Sequence, residues 1–560
     1  MKRNILSFIL LLLAISAQAQ KQRFFNLTVE DVTIDSLLPH FTYAIPIGEN
    51  YADSTYQLEI RYPEFLDMSA ADISRYNKLS GMPLSSLPNI QQQMVVERKK
   101  GILEFSLVPI VERNGKKQFL VSFMIALTSK PRNARQVRAN RISTTGNTQL
   151  YANHSVLSSG KWAKIRVPAN GIYNLTTDVI RRAGFSDLSK VRIYGYGGNL
   201  QDERISSAYL KEFDDLKEVP SCFVGGKRLF YGRGPVSWDS NTATIRTRNH
   251  YSNYGYYFIT ESTEAPLTVD ANTFLTSVYP TADDYHSLHE IENYSWFPGG
   301  RRFFENTPIA VGKTQTYTLT NTAKASNGTL AIGVSAGKGR TSIQIEVNGE
   351  KKGELSMSTG EFDYGAEIER KYPLVGLHDV DSIKITTLSG GPARLDYVSI
   401  TYDKPRSAPN LTEGTFPVPE YVYNITNQDL HSHTPVDLVI IIPTSQKLLK
   451  QAQRLAAFHE QHDGIKVRIV PADEIFNEFS SGTPDAMAYR RYMKMLYDRA
   501  KTEAEIPKSL LLFGDCVWDN RMITPECRFL NTDDYLLAYE SDNSFSLTDC
   551  YINDGWYTLM

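Results

Sequence analysis

The stretch Asp437–Ile442, Asp-Leu-Val-Ile-Ile-Ile, decides the fold class of the C-terminal part of this chain. A nearly continuous apolar run predicts a strand of a parallel sheet that is buried on both faces. It is followed by a helical pattern over Leu448–His459, the strand Val467–Val470, a helix opening at Thr483-Pro484, and the strand Ser509–Phe513. This β-α-β-α-β order predicts the start of a doubly wound α/β domain.

Short strands dominate the sequence upstream of this domain. Ile102–Val108 and Phe119–Ile125 flank Asn114-Gly115, which is a strong signal for a type I′ hairpin. Short alternating runs separated by Gly and Asn turns continue to Tyr402 and indicate β-sandwich or jelly-roll domains. We expect residues 290–305 to be partly helical and residues 129–149 to form a linker.

The fold class is therefore multi-domain: β-sandwich or jelly-roll-like domains come first, and the start of an α/β domain follows them. At 560 residues the chain is too long for one hydrophobic core. The expected division is a signal peptide (1–19), an N-terminal β domain with its linker (20–150), a second β domain (151–280), a β-sandwich or jelly-roll-like domain (281–410) and the α/β part (430–560).

The N-terminus predicts export from the cytoplasm. Lys2 and Arg3 precede the apolar run Ile5–Ile15, and Ala17-Gln18-Ala19 has the small-x-small pattern of a cleavage site. Cleavage between Ala19 and Gln20 is expected; the alternative is a short N-terminal membrane anchor. No later run approaches the roughly 20 apolar residues of a transmembrane helix.

The composition of the chain disfavours some classes of binding partner. The formal net charge is -2 with acids and bases mixed throughout, which argues against nucleic acid or an anionic membrane as the main partner. The chain has four cysteines, too few for an exported protein of this size to depend on disulfides.

None of the candidate catalytic residues has the sequence pattern that its chemistry requires. His459 and His462 stand three apart, whereas the zincin pattern needs four, so a solvated helix end is favoured over a metal site. Cys516 follows a strand at the edge expected for an α/β site. A cysteine nucleophile needs a histidine base, and no histidine follows His462. Gly195–Asn199 lacks the spacing of a nucleotide-binding loop and predicts a loop tip.

Acidic loops offer a further possibility at the carboxyl edge of the sheet. Asp515, Asp519, Asp533 and Asp534 lie in two loops there and could form an active-site rim or a calcium site, since hard oxygen ligands suit calcium. Ordinary turn chemistry is the alternative. No cofactor is expected to be required.

The α/β pattern stops early. Gly555–Met560 is an apolar, strand-like run, and we expect it to leave an open sheet edge in a truncated domain. The alternative is a small α/β domain whose edge is covered by the β domains.

Several motifs, in order, resemble one known family. They are Ser158–Trp162, Gly184–Gly195, Tyr231–Trp238, Ser481–Asp485, Arg490–Ala500, Leu510–Asp515 and Asn531–Tyr535. Together they resemble the sortases of the type IX secretion system, which are gingipain-type cysteine peptidases. The resemblance covers nearly the whole mature chain.

The resemblance implies a caspase-like α/β fold with a histidine–cysteine dyad. In that family the histidine lies in a Gly-His-Gly-like turn and the cysteine at an Ala-Cys strand end. Neither motif occurs here, so no catalytic residue is assigned to this chain and the dyad is expected downstream of Met560.

The resemblance also implies a role at the outer membrane and cell surface. Such a sortase removes the C-terminal sorting domain of secreted cargo proteins through a thioester, and an amine carried on anionic lipopolysaccharide resolves it. A PorV-like outer-membrane barrel of the attachment complex is an expected partner. The alternatives are a gingipain-like secreted protease and a non-catalytic, β-rich surface scaffold.

Overall fold

The computed structural model describes residues 22–35, 37–80, 83–132, 150–337 and 339–559. The chain divides into two compact units, residues 1–147 with 501–504, and residues 148–500 with 505–560. The predicted cleavage site at Ala19-Gln20 and most of the predicted linker lie outside the described residues. None of the described helices is long and apolar enough to cross a membrane.

The described residues of the first unit form two antiparallel sheets and two α-helices. One sheet has the order β1-β7-β3, with β6 also paired to β7, and the other has the order β2-β5-β4. Asn114 and Gly115 take positive φ between β6 and β7, which confirms the predicted hairpin turn. The elements are β1 (Gln22–Asn26), α1 (Val29–Val32), β2 (Phe41–Gly48), β3 (Ser54–Asp67), α2 (Ala70–Leu79), β4 (Gln91–Glu97), β5 (Lys100–Leu107), β6 (Ile110–Arg113) and β7 (Lys116–Pro131).

The second unit begins with a layer of short strands, here called the β layer. Its elements are β8 (Trp162–Val167), β9 (Gly171–Asn174), α3 (Thr177–Arg182), β10 (Val191–Tyr194), α4 (Ser207–Phe213), β11 (Ser221–Val224), β12 (Lys227–Gly232), β13 (Val236–Trp238), β14 (Arg246–Arg248), β15 (Gly255–Glu261) and α5 (Ala271–Val278), together with the later strand β24 (Glu420–Ile425). The main sheet has the order β10-β15-β8-β24. Its last strand, β24, comes much later in the sequence than the other three.

A β-sandwich follows. Its strands are β16 (His286–Glu290), β17 (Thr314–Thr320), β18 (Asn327–Gly337), β19 (Arg340–Val347), β20 (Glu350–Ser358), β21 (Gly365–Val375), β22 (Val380–Ser389) and β23 (Ala393–Tyr402). The two antiparallel sheets, β16-β23-β18-β21 and β17-β22-β19-β20, enclose one apolar core. The partly helical segment predicted over residues 290–305 is wrong: Glu290 ends a strand, and Tyr294 and Phe304 form an antiparallel bridge.

The C-terminal part has the predicted α/β order. It consists of β25 (Leu438–Ile442), α6 (Leu449–His462), β26 (Val467–Pro471), α7 (Ala472–Phe479), α8 (Ala486–Arg499) and β27 (Ser509–Leu512). β25 lies between β26 and β27 in a parallel sheet, and all five of its residues are buried. Helix α7 is an element that the sequence pattern missed.

Two local predictions in this part are corrected. The N-cap of α8 is Asp485, whose carboxylate accepts the Met487 N–H at 2.8 Å, whereas the Thr483 hydroxyl donates to Gly197 O. Residues Asp554–Thr558 form a 3₁₀ turn rather than a strand. This turn is held because Tyr557 is fully buried, with its hydroxyl donating to Leu537 O at 2.8 Å.

The glycine-rich loop after β10 is a buried docking element rather than a loop tip. The Ser481 hydroxyl accepts the Tyr196 N–H at 2.9 Å and donates to Tyr256 O at 2.9 Å. Asp485 accepts the Gln201 N–H at 3.1 Å. The turn between α7 and α8 therefore satisfies backbone groups of the β layer that would otherwise be buried without partners.

A substitution at Gly195 tests this docking. A Cβ there would lie 2.5 Å from Ser481 Oγ, at a φ of +129°. Gly339 (φ +104°) has nothing within 4 Å of the same atom, so Gly339→Ala carries a comparable backbone strain without the contact. We expect Gly195→Ala to lower the free energy of unfolding by ~2 kcal/mol more than Gly339→Ala, because it overpacks the interface.

Equal losses in the two variants, measured by urea denaturation of the full chain, would contradict close docking at Gly195.

Candidate active site

Three loops meet at the carboxyl edge of the parallel sheet. The Phe513 N–H donates to Ile441 O at 2.8 Å, the Leu536 N–H to Asp515 O at 2.9 Å, and the Ser445 N–H to Asp533 O at 2.8 Å. These bonds join the loops that follow β25 and β27 to the segment around residue 535. This is the edge at which open α/β sheets bind ligands.

Three of the four predicted rim residues lie at this edge. Asp515 and Asp533 are exposed, and the Asp515 carboxylate accepts the Cys516 N–H at 2.9 Å. Asp534 pairs with Lys447 at 2.6 Å, and that hydrogen bond holds the pKa of the carboxyl below its usual range. The pair ties the loop after β25 to the 3₁₀ turn Thr532–Asp534.

Asp519 has a different environment. It is fully buried, and its carboxylate accepts the N–H groups of Ile523 at 2.8 Å and Thr524 at 2.7 Å. Asp519 therefore stabilises the loop after β27 from inside and does not lie on the exposed rim of the site. Among the described residues, no group of three or more His, Cys, Asp or Glu side chains is arranged to hold a metal ion. The calcium site stays a prediction.

The cysteines lack the features of an activated nucleophile. Cys516 is half-buried at the edge, and burial, reinforced by the charge of Asp515, raises the pKa of its thiol. Burial also raises the pKa of the Cys222, Cys527 and Cys550 thiols. A reactive cysteine needs a lowered thiol pKa.

The histidines of α6 lie at its exposed C-terminal end. His459 Nδ1 and His462 Nδ1 contact the two oxygens of Asp463 at 2.6 and 2.7 Å. This arrangement fits the predicted solvated helix end.

A buried lysine beside the carboxyl edge was not found from the sequence. Lys164 of β8 donates to Asn477 Oδ1 at 3.1 Å, and its ammonium lies 4.6 Å from the ring centre of Tyr256. Burial lowers its pKa to about 8, against the opposing charges of Asp473 and Asp533. The β layer thus places a cation next to the acidic rim.

A second buried group, here called the His431 clamp, was also missed. His431 is fully buried, with Nδ1 2.6 Å from Glu478 Oε2 and Nε2 3.3 Å from Asp214 Oδ1. Its ring stacks on Phe479 with centroids 4.6 Å apart. Burial alone would lower the pKa of His431, but the hydrogen bonds that it donates to the Asp214 and Glu478 carboxylates outweigh burial and raise the pKa to about 9.

The clamp joins three segments that are far apart in sequence. Glu478, at the end of α7, also accepts the backbone N–H groups of Leu430 at 2.7 Å and His431 at 2.9 Å. Asp214 lies just after α4 and accepts the Ala152 N–H at 2.5 Å. One charged histidine therefore holds the entry into β25 against both the β layer and α7.

Comparisons with known proteins agree with this geometry. Residues 431–560 match the model of Peptidase family C25. The α/β part, with its parallel sheet and carboxyl-edge loops, thus has the architecture of the gingipain-type cysteine peptidases. No curated protein sequence matches the chain.

Among solved structures, dimeric latent PorU from Porphyromonas gingivalis is similar to this chain. The TM-score is 0.59 at 27% identity, over 75% of this chain and 48% of PorU. The chain is PorU-like, and it spans about half the length of that protein.

Small carbohydrate-binding modules match a short part of the chain. A family 35 module from an environmental isolate covers 22% of this chain and 91% of itself, at 20% identity and a TM-score of 0.16. A family 35 module from Clostridium thermocellum covers 21% and 87%, at 19% identity and a TM-score of 0.15.

The His431 clamp predicts a pH dependence of stability. A histidine whose folded pKa is raised contributes its full stabilisation below its ordinary pKa of 6.5 and loses it as the pH rises through about 9. A folded pKa of about 9 corresponds to ~3 kcal/mol. We expect the difference in unfolding free energy between the native chain and His431→Gln to shrink by about that amount from pH 6 to pH 10.

His378→Gln removes an exposed histidine whose side chain forms no ion pair with the described residues, and it serves as the control. Its difference from the native chain should stay nearly constant over the same range. A difference for His431→Gln that is equally flat would show that the histidine is neutral in the folded state.

Proposed function

We propose that this protein is a sortase-type cysteine endopeptidase of the type IX secretion system. The observation that carries the proposal is the coincidence of the C25 match at residues 431–560 with a parallel sheet whose carboxyl-edge loops meet in one place. The similarity to PorU over three quarters of the chain supports the same role.

The reaction would cleave the peptide bond ahead of the sorting domain of a cargo protein. A thiolate attacks the carbonyl carbon, and backbone N–H groups stabilise the oxyanion of the tetrahedral intermediate. The C–N bond then breaks, the amine of the sorting-domain side takes up a proton from the general acid and leaves, and a thioester remains. An amine on anionic lipopolysaccharide then attacks the thioester, which forms the new amide and releases the thiolate. The cargo is thereby attached at the cell surface, beside a PorV-like barrel.

This chain would contribute the scaffold of the site rather than its dyad. The raised thiol pKa values of Cys516, Cys527 and Cys550 disfavour a nucleophile among them. The chain instead supplies the sheet edge and the exposed carboxylates Asp515 and Asp533. Calcium binding near these carboxylates is part of the proposal.

Deletion of the gene in its host tests the proposal. We expect cargo proteins to keep their C-terminal sorting domains and to be lost from the cell surface, measured by mass spectrometry of cargo C-termini and by surface labelling. Complementation with the intact gene should restore both.

The alternatives give other outcomes. Normal cargo C-termini with reduced bulk proteolysis would indicate a gingipain-like secreted protease. Correctly cleaved cargo that fails to stay at the surface would indicate a non-catalytic scaffold. Either result would overturn the sortase assignment.

A further inference from the structure

A cavity of about 440 Å³ opens on one face of α8, away from the carboxyl edge of the sheet. Glu203, Arg204 and Ile205 line it from the β layer, and Arg490 and Lys494 line it from the helix. Asp515, Asp533 and Asp534 are not among its lining residues. The cavity is therefore a separate feature, in the size range of small-molecule sites.

Two carboxylates near the cavity, Glu203 and Asp498, each form an ion pair. The Glu203 carboxylate accepts from Arg301 at 2.9 Å and from the Tyr539 hydroxyl at 3.0 Å. Asp498 binds Lys494 through both of its oxygens, at 3.0 and 2.9 Å. Each of these two acids thus has its own cation.

Two guanidinium groups on the cavity wall have no carboxylate partner within the part of the chain that the structure describes. Arg490 donates to the carbonyl oxygens of Leu559 at 2.6 Å and Glu203 at 3.0 Å. Arg204 is exposed, and its contact with Asp202 runs through its backbone N–H. Since arginine stays protonated in proteins, the wall carries two guanidinium cations that no carboxylate of the described residues binds directly.

Arg490 is also held in place. Its two carbonyl acceptors and the Trp556 ring, 4.8 Å from the guanidinium carbon, fix its plane at the cavity wall. Its Nη2 has no acceptor in the described residues. An immobilised guanidinium with free N–H groups loses little conformational entropy when it binds an anion.

We infer that this cavity binds a phosphate monoester on a sugar-sized ligand, with Arg204 and Arg490 contacting the phosphate oxygens. Two guanidinium groups without a bound carboxylate can both contact a phosphate group, and their fork geometry suits paired hydrogen bonds to phosphate oxygens. The inference does not depend on the peptidase function, because it uses neither the carboxyl edge nor a cysteine.

Calorimetric titration of the full chain tests the site. The probes are inorganic phosphate, glucose 6-phosphate and acetate, at constant ionic strength. We expect saturable, one-site binding of glucose 6-phosphate that is at least tenfold tighter than binding of acetate. Saturable binding of inorganic phosphate with no binding of the ester would identify free phosphate as the ligand and overturn the monoester assignment.

Variants separate the site from general charge effects. Arg204→Gln and Arg490→Gln should each weaken binding at least tenfold, and Arg490→Lys should weaken it less because it keeps the charge. Arg454→Gln removes an exposed arginine on α6, outside the cavity, and should leave binding unchanged.

Arg204→Gln keeps the test valid if loss of Arg490 disturbs folding, because the Arg204 guanidinium is exposed. No saturable binding, binding that is insensitive to Arg204→Gln, or an equal loss in Arg454→Gln would overturn the proposal.

Discussion

The hydrogen bonds of the buried Arg491 guanidinium are the interaction on which the packing of the β layer against the α/β part depends. The residue is 1% exposed, and it donates to Gln201 Oε1 at 2.8 Å, to the Tyr196 hydroxyl at 3.1 Å and to the carbonyl oxygens of Phe479 and Phe213. A charge removed from water is tolerated only when such partners surround it. Because those partners come from the β layer and from the end of α7, the cation holds both to α8.

Other buried polar contacts lie in the same interface between the β layer and the α/β part. Ser481 and Asp485 bond the glycine-rich loop on one side, and Glu478 with His431 fixes the approach to β25 on the other. One apolar core also runs through both parts, from Tyr251 and Leu210 to the residues of α7 and α8. The β layer is therefore a structural component of the α/β fold rather than an independent appendage.

The sequence predicted the parallel sheet well because its signals are local. The apolar run of β25 is continuous in the sequence. In α8 the apolar residues recur at helical spacing, at Tyr489, Tyr492, Met493 and Leu496. Both patterns can be recognised from neighbouring residues alone. Helix α7 has apolar residues at helical spacing, but it spans only eight residues and follows β26 without a connecting loop, so it was not found from the sequence.

The candidate site was predictable only in part. Asp515, Asp533 and Asp534 lie near the carboxyl edge, as their positions after strand ends indicate, and their role as an active-site rim stays a prediction. The buried role of Asp519, the lysine beside the rim and the His431 clamp depend on tertiary contacts. His431 and Asp214, for example, are 217 residues apart in sequence.

The most direct test asks whether the β layer and the α/β part are one cooperative structure. It compares native-state hydrogen exchange, measured by mass spectrometry, between the native chain and the Arg491→Leu variant. The buried guanidinium predicts that amides around residues 196–201, 430–431 and 439–441 lose protection together, at least tenfold, in the variant. Faster exchange confined to residues 196–201, with residues 439–441 as protected as in the native chain, would contradict it.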